Sequence, residues 1–154
     1  MGLDMYLTRE VYIGADWEHN GITGKVTLKR GGVPITVNSG KISEITEGFA
    51  YWRKANAIHR WFVDNVQDGE DECGTHYVYR EHFESLLKDV NEVLADHSKA
   101  NAILPSQSGF FFGGIEYDEW YFKDLEYTKK VVLEALKDLD KKEAYVTYKY
   151  HSSW

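Results

Sequence analysis

Residues 41–66, KISEITEGFAYWRKANAIHRWFVDNV, hold the change of pattern that decides the fold. Residues 41–52 look like a long strand, with Gly48 placed to mark a bulge. From Ala55 the apolar positions become Ala55, Ile58, His59, Phe62, Val63 and Val66, which is helical spacing. This helix is expected to begin near Arg53 and to end at Asp68-Gly69, with Gly69 in the left-handed closing conformation.

Upstream, Leu3 to Ile13 alternates with a period of two and predicts a first strand, and the Gly-rich, polar residues 14–24 predict a loop. Residues 25–29 and 33–37 flank Arg30-Gly31-Gly32 and read as a hairpin, with Pro34 demoting the second arm to an edge. Downstream, residues 70–74 form an acidic loop and Thr75–Tyr79 a short strand. Phe83, Leu86, Leu87, Val90 and Leu94 mark a second helix ending near His97. A loop around Pro105 leads to a short buried strand at Phe110–Phe112. Asp118 caps a third helix through Leu139, and Ala144–Tyr150 reads as a last strand. The expectation is an α+β fold, a single domain over residues 1–154. It has one antiparallel sheet of five or six strands, with three helices packed mainly on one face.

Composition narrows the function classes. The 154 residues are 43% hydrophobic, which excludes disorder, and no apolar run is long enough to span a membrane. The start, MGLDMYLTRE, is not read as a secretion signal. A single cysteine, Cys73, excludes an internal disulfide framework and suits a reducing cytoplasm. A net charge of −7 argues against coating nucleic acid.

Against that acidic background, Tyr51-Trp52-Arg53-Lys54 breaks local rules. Cations in a first helical turn oppose the helix dipole, and no capping side chain stands before them. Either an anion gathers there, held by Arg53, Lys54 and free backbone N–H groups, or the two cations pair with acidic neighbours and the helix starts a residue or two elsewhere. Tyr51 or Trp52 would then offer a stacking face, which suits a phosphate carried on a ring. Residues 104–114, LPSQSGFFFGG, supply Gln107 and Ser108 as polar contacts and Phe111 as a further ring. His59 falls on the apolar face of its helix, as a core residue or as a general acid/base. Trp61, off the apolar face of its helix, is either covered by another segment or an interaction anchor, and Trp120 is a further candidate anchor. The acidic residues around Asp71 fit no metal-loop spacing, and Ser106, Ser108 and Cys73 fit no nucleophile motif, so neither a metal nor a cofactor is expected.

The strings YWRKANAIHRWFVDNVQDGEDECG and LPSQSGFFFGGIEYDEWYFKDLEYT, with the opening MGLDMYL, resemble a group of small proteins encoded by tailed bacteriophages and prophages. The resemblance extends over most of residues 1–140 and is least in residues 14–43 and after Lys141. It implies a phage origin and the cytoplasm of a bacterial host. It carries no site residue with it. The expectation is an accessory binding protein for a nucleotide-like anion or a host defence protein, acting in counter-defence. One alternative is a small hydrolase-type enzyme with His59 as acid/base. Another is an interaction module or homo-oligomer built on Trp61, Trp120 and the tyrosines of the last strand.

Overall fold

The structure, a computed structural model, describes residues 2–15, 17–20, 25–143 and 145–154. Ala144, expected to open the last strand, and parts of the 14–24 loop lie outside the described residues.

Strands β1 (Asp4–Tyr12), β4 (Glu44–Arg53), β5 (Thr75–Val78) and β6 (Val146–Ser153) form an antiparallel sheet in the order β4-β1-β6-β5. Side chains alternate across it, as the strand period requires. Met5, Leu7, Ala50, Trp52, Tyr148 and Tyr150 turn inward. Tyr6, Tyr51 and His151, which pair across the register, gather on the other face. Between Leu7 and Thr8 the register with β4 slips, so Phe49 is the extra residue of a bulge beside Gly48.

The inner face is covered by α1 (Asn56–Val66), α2 (Arg80–Ala95) and α4 (Glu119–Leu139), whose buried positions join those strand residues in one core. Phe62 stacks on Tyr150 at 4.0 Å between ring centres, and Phe83 meets Tyr148 edge-on. Each such fully buried ring contributes about 2 kcal/mol by removal of apolar area from water. Gly69 has φ +81° and its N–H returns to Val63 O, which closes α1. Asp118 accepts from Trp120 N and Tyr121 N and caps α4.

The architecture is α+β, with differences from the sequence expectation. The hairpin β2 (Leu28–Arg30) and β3 (Val33–Ile35) forms its own two-stranded sheet and does not join the main one. Its arms are three residues each, wholly exposed, and Pro34 has no N–H to give a ladder. The described residues hold four α-helices, because the loop before Pro105 contains a short α3 (Ala100–Ile103). Thr75–Val78 joins the main sheet, whereas Phe110–Phe112 is a turn in which Phe112 N donates to Gly109 O. Flexible glycines on both sides allow Phe112 to enter the core while Phe110 stays 96% exposed. Helix α1 begins at Asn56, not near Arg53. Arg53 ends β4 opposite Asp4, and Lys54 N extends that ladder to Leu3 O at 2.8 Å.

Candidate ligand-binding site

The passage from β4 to α1 occupies two residues, Lys54 and Ala55. Lys54 adopts φ +60°, a left-handed conformation that costs an L-residue about 1 kcal/mol or more. It turns the chain from the sheet edge into the helix. Ala55 stands at the N-cap with no side-chain hydrogen bond. Asn56 N donates back to Lys54 O, which leaves the N–H groups of Ala57 and Ile58 as the open donors of the first turn.

Asn56 fastens the 105–118 segment over this end. It is 5% exposed, and all its polar capacity but one lone pair is used. Nδ2 donates to Phe112 O at 3.0 Å and to Gly114 O at 2.7 Å, while Oδ1 accepts from Gln107 N at 2.9 Å. Two further bonds steady the segment: Leu3 N donates to Phe111 O, and Tyr121 Oη donates to Leu104 O. Between α1, this segment and α4 lies a cavity of about 320 Å³, within the range of small-molecule sites.

One wall of the cavity is Arg53, Lys54 and the first turn of α1; the opposite wall is α4 with Trp120, Tyr121 and Asp124. Ser106, Gly113, Gly114 and Glu116 form the rim. Among the described residues, neither Arg53 nor Lys54 forms a salt bridge, although seven other arginine and lysine side chains do. The Lys54 stem runs between two glycines: a Cβ on Gly2 would sit 3.1 Å from its Cε, and one on Gly113 would sit 3.1 Å from its Cβ. Trp120 is 72% exposed, with Lys123 Nζ 4.8 Å from its ring centre. Asp124 follows one helical turn later on the same side of α4. Burial, and then the charge of Asp118, push the Asp124 carboxyl up to about 6.

The residues singled out from sequence fall into two groups. Arg53, Lys54 and Trp120 line the cavity. Tyr51 does not: on β4 it alternates with Trp52, points to the open face of the sheet, and donates from its hydroxyl to Asp4. Trp52 points inward to the core, where Nε1 donates to Thr128 Oγ1. Gln107 meets the site through its backbone N–H alone, Ser108 is exposed outside the lining, and the Phe111 ring packs partly against the core.

Of the two readings of Trp61, the covered one holds and the anchor does not: it is 5% exposed because α2 covers that side of α1, and its Nε1 donates to Asp89. Tyr148 and Tyr150 of the last strand are likewise buried. His59 is fully buried and does not line the cavity. Its Nε2 lies 3.0 Å from Asp71 Oδ1 and its Nδ1 2.8 Å from the Tyr150 hydroxyl. The Asp71 carboxylate only accepts, so Nε2 carries the proton and Nδ1 accepts from Tyr150. Burial lowers the His59 pKa, and Asp71 works against that shift. With both ring nitrogens committed, His59 has no free edge for a substrate. Asp71 also accepts from Trp154 Nε1, so the network pins the acidic loop and the last residue to the core.

The sequence reading missed Asn56, Asp124 and the two-glycine rim. Asn56 stood in the string, but a helix begun at Arg53 would place it inside the first turn as an ordinary polar residue. Asp124 stands among Trp120, Tyr121, Tyr127 and Thr128 on its side of α4, and a single carboxylate in a long helix carries no motif.

Among the described residues, no three His, Cys, Asp or Glu side chains group to hold a metal ion, and no helix is long and apolar enough to cross a membrane. No protein-family model, curated protein or solved structure matches the chain.

Proposed function

We propose that the chain is a binding protein whose cavity at the start of α1 takes a small, anionic, nucleotide-like ligand. The observation that carries this reading is an uncapped helix N-terminus opening onto a cavity of about 320 Å³ beside two cations without ion-pair partners among the described residues. Backbone N–H groups, the helix dipole and two positive side chains all favour a phosphate at that point. The Trp120 indole gives a ring face at the same opening. The left-handed Lys54 supports the reading too, because strain held in place by surrounding structure is characteristic of binding sites.

The resemblance to tailed-phage proteins gives this binding a setting. In a bacterial host cytoplasm, the chain sequesters a nucleotide signal as a counter-defence protein. The exposed rings of Phe110 and Trp120 favour a second reading, in which this face docks on a host defence protein. The test is to denature the purified protein and analyse the released small molecules by mass spectrometry and absorbance ratio. A phosphorylated, ring-bearing compound in near-stoichiometric amount supports the first reading. Release of nothing, together with no heat on titration with nucleotides, removes it.

A further inference from the structure

The cavity is bipolar, and its second pole is not explained by a phosphate. The α1 wall presents donors, whereas the α4 wall presents carboxylates. The two carboxylates differ in how they are committed. Asp118 Oδ1 is engaged in capping α4, accepting from Trp120 N and Tyr121 N. The Asp124 carboxylate has no hydrogen-bond or ion-pair partner among the described residues; its backbone carbonyl accepts from Thr128, but its side chain accepts from nothing. A half-buried carboxylate without a partner is costly, and a ligand that donates to it relieves the cost.

Resting on the anion-binding reading above, we infer that the ligand is a nucleotide with a guanine-type edge, its phosphate at the α1 end, its base against Trp120 and its two adjacent N–H donors on the Asp124 carboxylate. The pattern of donors and acceptors selects the base. An ionised carboxylate has two oxygens and accepts only. Guanine presents a ring N–H and an exocyclic amine side by side, both donors, so two parallel bonds form as in an arginine–carboxylate fork. Adenine and cytosine place a ring acceptor beside their amine, and that lone pair faces the carboxylate unfavourably. Uracil offers one ring N–H flanked by two carbonyls. With its carboxyl near 6, Asp124 is ionised at pH 7.5 and acts as the acceptor this pairing needs.

The Trp120 ring and the Asp124 carboxylate are four residues apart on one helix, so they share a face of α4. A base laid on the indole has its edge on the side of that carboxylate. A site built to hydrogen-bond a substrate N–H rejects the analogue lacking it by far more than a site that merely fits its shape.

The experiment is titration calorimetry on the full chain at pH 7.5 with guanosine, inosine and adenosine monophosphates and with ribose 5-phosphate, for the wild type, Asp124→Asn and Trp120→Ala. The guanosine compound is expected to bind at least about tenfold tighter than the other two nucleotides, with ribose 5-phosphate weaker but measurable. Asp124→Asn is expected to abolish the preference and leave ribose 5-phosphate unchanged. Trp120→Ala, at an exposed position that does not endanger folding, is expected to weaken all three nucleotides and not the sugar phosphate. Equal affinity for the three nucleotides, or a preference that survives Asp124→Asn, overturns the inference while the phosphate-binding reading stands. If ribose 5-phosphate and every nucleotide fail to bind, both fall together.

Discussion

Gly113 and Lys54 are in closest approach at the rim of the cavity: a Cβ added to Gly113 would lie 3.1 Å from the Lys54 Cβ. Gly113 also has φ +86°, which an L side chain resists. Gly113→Ala therefore carries both crowding and backbone strain, and is expected to lower stability by about 1–2 kcal/mol. Denaturant unfolding measures the loss, and an unchanged midpoint would show that the rim is not closely packed.

Lys54 separates stability from binding. Its left-handed backbone suits glycine better than lysine, so Lys54→Gly is expected to leave stability equal to the wild type or up to about 1 kcal/mol higher. The same change removes an ammonium from the cavity, and nucleotide affinity is expected to fall at least about tenfold. Calorimetric melting and titration on one sample check both signs.

Asn56 holds the 105–118 segment by three hydrogen bonds in a buried position. Asn56→Ala leaves Gln107 N–H and two carbonyls without these partners, a loss of about 2–3 kcal/mol. Hydrogen exchange is expected to rise at Gln107, whose N–H loses its acceptor, ahead of the β1–β6 ladder. A uniform rise would mean that Asn56 supports the whole fold and not this segment.

Two networks give the stability curve distinct pH windows. The His59 pKa is lowered in the folded state by burial, so the unfolded chain takes up a proton that the native one resists. Its contribution is complete above the unfolded value near 6.5 and is lost as pH falls through the lower folded value. Asp138 acts in a more acidic window. Burial opposes its charge, but hydrogen bonds from Arg9, Lys141 and Tyr148 outweigh that and hold the carboxyl well below its usual range. Its contribution is present above the unfolded value near 3.9 and is lost as pH falls further. His59→Gln is expected to flatten the urea midpoint as pH falls below about 6.5 and to leave the acid limb below about pH 4, which belongs to Asp138, intact.

Asp124 is expected to show the opposite sign. Its carboxyl is raised to about 6, so stability falls as pH rises from the unfolded value near 3.9 through that point. Asp124→Asn removes the penalty and is expected to stabilise the free protein at pH 7.5 by roughly 1 kcal/mol, after allowance for partial exposure. A loss of stability in this variant would mean that the carboxylate has an internal partner.

How far the sequence could be read depends on which rule governed each segment. The change of period at residues 41–66 identified β4 and α1 because a two-sided strand and an amphipathic helix bury different positions. The junction was displaced by three residues, since a left-handed Lys54 breaks the local rules used to place it. Separation of the β2–β3 hairpin from the main sheet depends on long-range packing that a turn signal does not contain. Phe110–Phe112 was ambiguous for a related reason: three rings in a row satisfy a buried strand and a glycine-flanked turn equally. At the site, the anomaly of two cations before an uncapped helix was legible. Asp124, Glu116 and the Asn56 bonds come from segments that only the tertiary fold brings together.

The central claim is that positive charge at the start of α1 holds the anionic part of a ligand. Titration calorimetry with guanosine monophosphate on the wild type and on the double variant Arg53→Glu/Lys54→Glu tests it most directly. The expected result is binding to the wild type and none to the variant, with melting temperatures within about 4 °C because both side chains are exposed. Equal affinity in the two proteins would contradict the account.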